Sequence, residues 1–144
     1  MPDPINPTPV PAANPSPGGG ATSTSTGLPS NVAAALACIP LIGGLIFYIL
    51  EKNDRFVRFY AMQSIIFGGI WFLFNVLSLI LHGIFALIPI AGPIFGGLWL
   101  FVSALVHLGL LVIMVIAMIK AFSGVLWDIP WVGPIARKQI GESV

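Results

Sequence analysis

Hydrophobic and polar positions divide the chain into one long polar stretch followed by two apolar ones. Residues 1–30 carry no sustained apolar run. They hold Pro2, Pro4, Pro7, Pro9, Pro11, Pro15, Pro17 and Pro29, the run Gly18-Gly19-Gly20, and a Ser/Thr tract from Thr22 to Thr26. Such a segment buries too little apolar surface to offset its conformational entropy, so residues 1–30 are expected to form a disordered, polyproline-II-like tail. With no basic start and no apolar core, the tail is not read as a signal peptide. Asn31 to Leu50 then runs without a charge. About 20 apolar residues in a helix cross the hydrocarbon core, so this stretch is long enough for a first span.

A charged cluster follows, Glu51-Lys52-Asn53-Asp54-Arg55 with Arg58, and from Phe59 to Ile119 there is again no formal charge. A single helix over that second stretch would be about 90 Å long, so it must turn. Its breakers are concentrated at Pro89, Gly92, Pro93, Gly96 and Gly97. Proline removes a backbone donor and restricts the residue before it, which places the turn there. The pattern predicts an all-α membrane protein with three transmembrane helices at about 31–50, 61–87 and 94–119. The helical membrane domain covers 31–138, and 139–144 form a C-terminal tail. A re-entrant segment over roughly 83–97 is the structural alternative.

Composition supports bilayer as the solvent. The 144 residues are 57% apolar and 8% charged, with a mean hydropathy of +0.99, whereas a soluble domain is about 25% charged. A net charge of +1 offers no footprint for nucleic acid. Cys38 is the single cysteine, so no intrachain disulfide forms, and it reads as a small packing residue. With three spans, all six basic residues (Lys52, Arg55, Arg58, Lys120, Arg137, Lys138) fall on one side. The positive-inside rule then puts the N-terminus outside and the C-terminus in the cytoplasm of a cell-membrane protein.

Two segments bear sequence-specific features. In the 51–64 loop, Glu51 with Arg55 and Asp54 with Arg58 are i,i+4 pairs in the favoured orientation, and Asn53 or Asp54 can cap a helix. Phe56, Phe59 and Tyr60 are expected on one face of an interfacial lead-in, with Arg55 and Arg58 available to lipid phosphates. In the 121–138 tail, Trp127 and Trp131 suit an aromatic belt, and Pro134 can start a short helix carrying Arg137 and Lys138.

Within the long helices, Ser64, Gly68, Trp71, Asn75, Ser78 and His82 recur in heptad rhythm. So do Gly96, Leu100, Ser103, His107, Leu110, Met114 and Ala117. Each set defines a packing seam. Matching the two in depth predicts that Asn75 and Ser78 pack against Ser103 and His107 as structural glue. The rival is that each group bonds only its own backbone.

Asn31–Leu50 with its Gly43-Gly44, the stretch Phe56-Val57-Arg58-Phe59-Tyr60-Ala61-Met62-Gln63-Ser64, and Ile129-Pro130-Trp131-Val132-Gly133-Pro134-Ile135-Ala136 resemble a family of small uncharacterised prokaryotic membrane proteins. That family is grouped by similarity with the Tic translocon component of the chloroplast inner envelope. The resemblance covers about 31–138, and Tyr60 stands where the family usually has a histidine. It implies a transport or protein-translocation element as one function.

The residues themselves favour another. No phosphate loop, metal-ligand spacing or nucleophile with a base is present, so no catalytic, metal or cofactor residues are assigned and no enzyme is expected. His82 and His107 would differ in depth by about 13 Å, too far to share a metal. The expected function is a non-catalytic structural, scaffold or accessory component. Its expected partners are the lipid bilayer and copies of itself or other membrane proteins.

Overall fold

The computed structural model describes residues 24–141. They form five helices: α1 (Ser30–Ala37), α2 (Ile42–Leu50), α3 (Arg55–Ala86), α4 (Ala91–Phe122) and α5 (Val132–Gln139), with no strand among the described residues. Two of these, α3 and α4, have 32 residues each and are long and apolar enough to cross a membrane. Asp54 starts α3, its Oδ1 accepting the N–H of Phe56 at 2.8 Å and of Val57 at 3.4 Å, which satisfies two of the otherwise unpaired first-turn donors. The two helices run antiparallel, as the Phe85–Phe95 ring stack beside the connecting turn shows. Residues 83–97 are therefore two helix ends and a tight turn, not a re-entrant segment.

The expected first span does not form. Residues 31–50 break at Cys38–Leu41 into two short helices that fold back on each other, so two helices are span-like rather than three. α1 begins beside the start of α3, where Ser30 Oγ donates to Asp54 and Asn31 Nδ2 donates to the Phe122 carbonyl at 3.1 Å. It climbs against both α3 and α4. At the top Ser64 Oγ donates to the Ile39 carbonyl at 3.0 Å, and Pro40 and Leu41 sit on Gly68, where a Cβ would lie 2.6 Å from the Leu41 nitrogen. α2 then descends with Gly44 against Ala61 and Ile65. The hairpin thus reaches the level of Gly68, about 20 Å above Asp54. Pro40, which has no N–H to continue α1, is the local cause of the reversal.

The described residues also start and finish at one end of the helix pair. Ser25 and Ser30 stand at the same end of the α3–α4 pair as Phe122 and α5. The six basic residues remain together there without a third crossing. Residues 24–30, expected to belong to the tail, are instead held in place, Thr24 Oγ1 donating to the Leu28 carbonyl and Ser25 bonding Glu51. The expected disorder of residues 1–23 lies outside the described residues, as does the end of the tail at 142–144.

One unit recurs three times: Ile39-Pro40-Leu41-Ile42-Gly43, Ile88-Pro89-Ile90-Ala91-Gly92 and Ile129-Pro130-Trp131-Val132-Gly133. In each the residue after proline has positive φ (Leu41 61°, Ile90 71°, Trp131 64°). The next N–H bonds back to the proline carbonyl at 2.8, 2.8 and 2.9 Å. These are γ-turns of the rare, strained hand, each costing about 1–3 kcal/mol that surrounding contacts must offset. All three open a helix (α2, α4 and α5), and a Cβ on any of the three glycines would collide with the chain just before the turn.

Candidate functional site

Polar side chains gather in two places, the basic end of the bundle and the middle of the α3–α4 seam. At the basic end the chain leaves α4, turns at Gly124 (φ 71°) and runs without regular secondary structure over 125–129. Its backbone has no neighbouring strand, and α3 supplies the missing partners. Tyr60 Oη donates to the Val125 carbonyl at 2.5 Å and accepts the Trp127 N–H at 3.1 Å. Gln63 Nε2 donates to the Trp127 carbonyl at 3.3 Å, and its Oε1 accepts the Ile129 N–H at 3.4 Å. Unpaired buried backbone groups cost about 1–3 kcal/mol each, so these two side chains decide where the tail lies. Beside them Cys38, Ser64, Phe67 and Ala117 line a void of about 10 Å³, room for no more than about one water.

Glu51 is fully buried where α2 hands over to α3. Its Oε2 accepts the Ser25 N–H at 2.7 Å, and its Oε1 accepts Ser25 Oγ and the N–H groups of Asn53 and Asp54 at 3.0–3.1 Å. Burial alone would push this carboxyl up, but the bonds from Asp54, Asn53 and Ser25 outweigh it and hold the group below its ordinary value. The carboxylate therefore serves the backbone instead of the expected partner Arg55.

The four expected interfacial residues separate. Arg55 is exposed, and Trp131 is 88% exposed at the tip of its γ-turn. Arg58 is half-buried, with its guanidinium 5.3 Å from the Tyr48 ring and its Nε buried without an acceptor. Trp127 is half-buried and held through its backbone. Phe59 and Tyr60, expected at the headgroup level, are instead core residues, 1% and 0% exposed, because α1, α2 and α5 all pack on this part of α3. Arg137 of α5 pairs with Asp128 at 3.0 Å and lies over Phe59 at 5.0 Å.

Of the four interhelical polar residues, the structure brings Asn75 and His107 together, Nε2 lying 3.2 Å from Asn75 Oδ1. Ser78 and Ser103 do not meet. Ser78 Oγ accepts the Trp99 indole N–H at 2.9 Å, and Ser103 faces His107 of its own helix. Trp99 is hidden from the heptad pattern because it lies one step off the seam, though an indole donor one turn from a serine's depth is a usable signal. The lower part of each seam meets the α1–α2 hairpin, with Ser64 and Gly68 touching its tip. At the opposite end His82, Phe85, Gly92 and Gly96 help line an open groove of about 450 Å³. Among the described residues no three His, Cys, Asp or Glu side chains are grouped to hold a metal.

Two long apolar helices with aliphatic side chains facing outward along most of their length define an α-helical integral membrane protein. Residues 23–136 match the magnetosome magnetite crystal formation protein family, MamF/MmsF, and the chain belongs to it. It is 38% identical over 116 residues to a UPF0132 membrane protein of Methanocaldococcus jannaschii, covering 79% of this chain and 91% of the relative. A UPF0132 membrane protein of Archaeoglobus fulgidus is 38% identical over 113 residues, 77% of this chain and 95% of that protein. No solved structure matches.

Proposed function

We propose that the chain is a non-catalytic structural or accessory component of a membrane, acting through helix packing and self-association. Its basic end and both chain ends lie in the cytoplasm. The observation that carries this reading is how its polar groups are spent. Tyr60, Gln63, Ser64, Ser78 and Asn75 all bond other parts of the same chain. The acids Glu51, Asp54 and Asp128 are likewise held by internal hydrogen bonds. The family takes its description from magnetite crystal formation. With those carboxylates engaged, a part in such a process would come from organising the membrane rather than from binding the mineral.

A Tic-component-like transport element is the second reading, favoured by the exposure of Asn75 at mid-helix. Two spans enclose no path, so that role requires several copies around a polar seam. Purified protein in liposomes separates the two. Defined oligomers without solute or peptide flux fit the first reading, and flux that scales with oligomer content overturns it. Reporters at the two termini test the orientation, since ends on opposite sides of the membrane contradict two spans.

A further inference from the structure

The Asn75–His107 contact is short of one proton. His107 Nδ1 lies 2.7 Å from the Ser103 carbonyl, and Nε2 lies 3.2 Å from Asn75 Oδ1. Both oxygens can only accept. A neutral imidazole carries one N–H, so it bonds one of them and turns a lone pair toward the other. Ser103 Oγ, 3.5 Å from Nδ1, is too distant to correct this. Turning the Asn75 amide over does not help either. Its Nδ2 donates to the Trp71 carbonyl at 2.8 Å, and the reversed amide would set two oxygens against each other there. Three acceptors face one amide and one ring, and a second ring N–H completes the set.

Two aromatic rings flank the imidazole, the Phe74 and Trp71 centroids lying 5.5 and 5.9 Å from that of His107. The elements packed on α4 are α1 and α3. α1 (Ser30–Ala37) has no charged residue, and on α3 and α4 no Asp, Glu, Lys or Arg lies between Arg58 and Lys120. The remaining titratable groups look elsewhere. His82 bonds the Ser78 carbonyl at 3.0 Å, while Cys38 and Tyr60 border the void near the basic end.

We propose that His107 is a proton-binding site between the two long helices, where uptake of a proton completes the chain of bonds from Trp71 through Asn75 and His107 to Ser103. The protonated ring joins α3 to α4, and the neutral ring releases one end of that bridge. The bridge between α3 and α4 is therefore complete only when both ring nitrogens of His107 carry a proton. This inference rests on the packing role given above to the Asn75–His107 pair.

The test uses the full chain with His82→Gln, ring-¹⁵N histidine and lipid bilayers, observed by solid-state NMR between about pH 8 and pH 5, a window that spans the ordinary histidine range. The expected result is a gain of the second ring N–H on acidification, with Nε2–H correlated to the Asn75 side chain. Asn75→Leu should abolish that correlation, and His107→Gln, which can still donate to Asn75, should remove the change of thermal stability between about pH 8 and pH 5. A bare Nε2 accepting from the Asn75 amide throughout the range overturns the proton site while leaving the packing contact intact. Loss of all 75–107 proximity in the unsubstituted pair overturns both.

Discussion

The basic end and the far half of the bundle are made from equally apolar stretches, yet they are built differently. Near the basic end α3 is surrounded: Val57, Phe59, Tyr60, Ala61, Gln63, Ser64 and Phe67 are buried beneath α1, α2 and α5. Beyond Gly68 only Ser78 of α3 is buried, and Leu79, Leu87 and Ile90 are 74%, 83% and 89% exposed. The first region is organised as a soluble core is, by close packing and by satisfying each buried polar group. The second relies on lipid to cover its surface and keeps only a few side-chain bonds between helices. Hydrophobicity alone does not distinguish them. What does is the presence of polar residues and glycines at positions where other chain segments can reach.

Glycine substitutions should widen this contrast most. Gly68→Leu places atoms where Pro40 and Leu41 rest and should cost more than about 3 kcal/mol, the overpacking range and beyond, with the α1–α2 hairpin released. A methyl group added at Gly83 would meet no atom within 4 Å, so Gly83→Ala should be neutral or stabilising by up to about 1 kcal/mol. Thermal unfolding in detergent measures both, and equal losses would erase the distinction between the two regions.

Tyr60→Phe comes next. It removes both the donor to the Val125 carbonyl and the acceptor for the Trp127 N–H and should cost about 1–3 kcal/mol. Hydrogen exchange should locate the loss at residues 125–129 and leave α4 above Ser103 protected. Uniform loss along α4 would show that the tail is not separately held.

Glu51 provides a pH test confined to the basic end. Its folded-state carboxyl sits below its ordinary value, so it contributes stability at pH values above the ordinary glutamate range of about 4.3, and this is lost as pH falls through the lower folded value. Acidification below about pH 4 should expose residues 24–30 to protease before the long helices respond, and Glu51→Gln should largely remove that step. Stability that rises on acidification through this window would contradict the assignment.

The smallest effects belong to the far half. Asn75→Leu removes one interhelical bond and should cost about 0.6–2 kcal/mol. Leu79→Ala, on the exposed side of α3, should change stability by no more than about 0.5 kcal/mol. Cross-linking between α3 and α4 reads the former, and a larger loss from Leu79 than from Asn75 would reveal a protein neighbour where lipid is expected.

Some features of this protein follow from local sequence. The uncharged length of 59–119 with its Pro89–Pro93 breaker requires two long helices and one turn, whatever else the chain does. The grouping of basic residues and the heptad rhythm that faces Asn75 toward His107 are equally local, because each depends only on spacing along a helix. The fate of 31–50 is different. Its length and apolarity suit a span, and the Ile-Pro-X-X-Gly unit at 39–43 recurs at 88–92, where it also reverses the chain, and at 129–133, where it opens α5. Whether such a unit reverses a chain or merely starts a helix depends on what waits to receive it. Here Gly68 and Ser64 leave α3 open to a close-packed neighbour and Gly44 lets α2 approach it, so the hairpin folds back onto protein surface. Burial of Phe59, Tyr60 and Gln63 has the same origin, since three separate segments must converge on one stretch of α3 before any of them is covered. That convergence is a property of long-range contacts, and only the tertiary structure decides it.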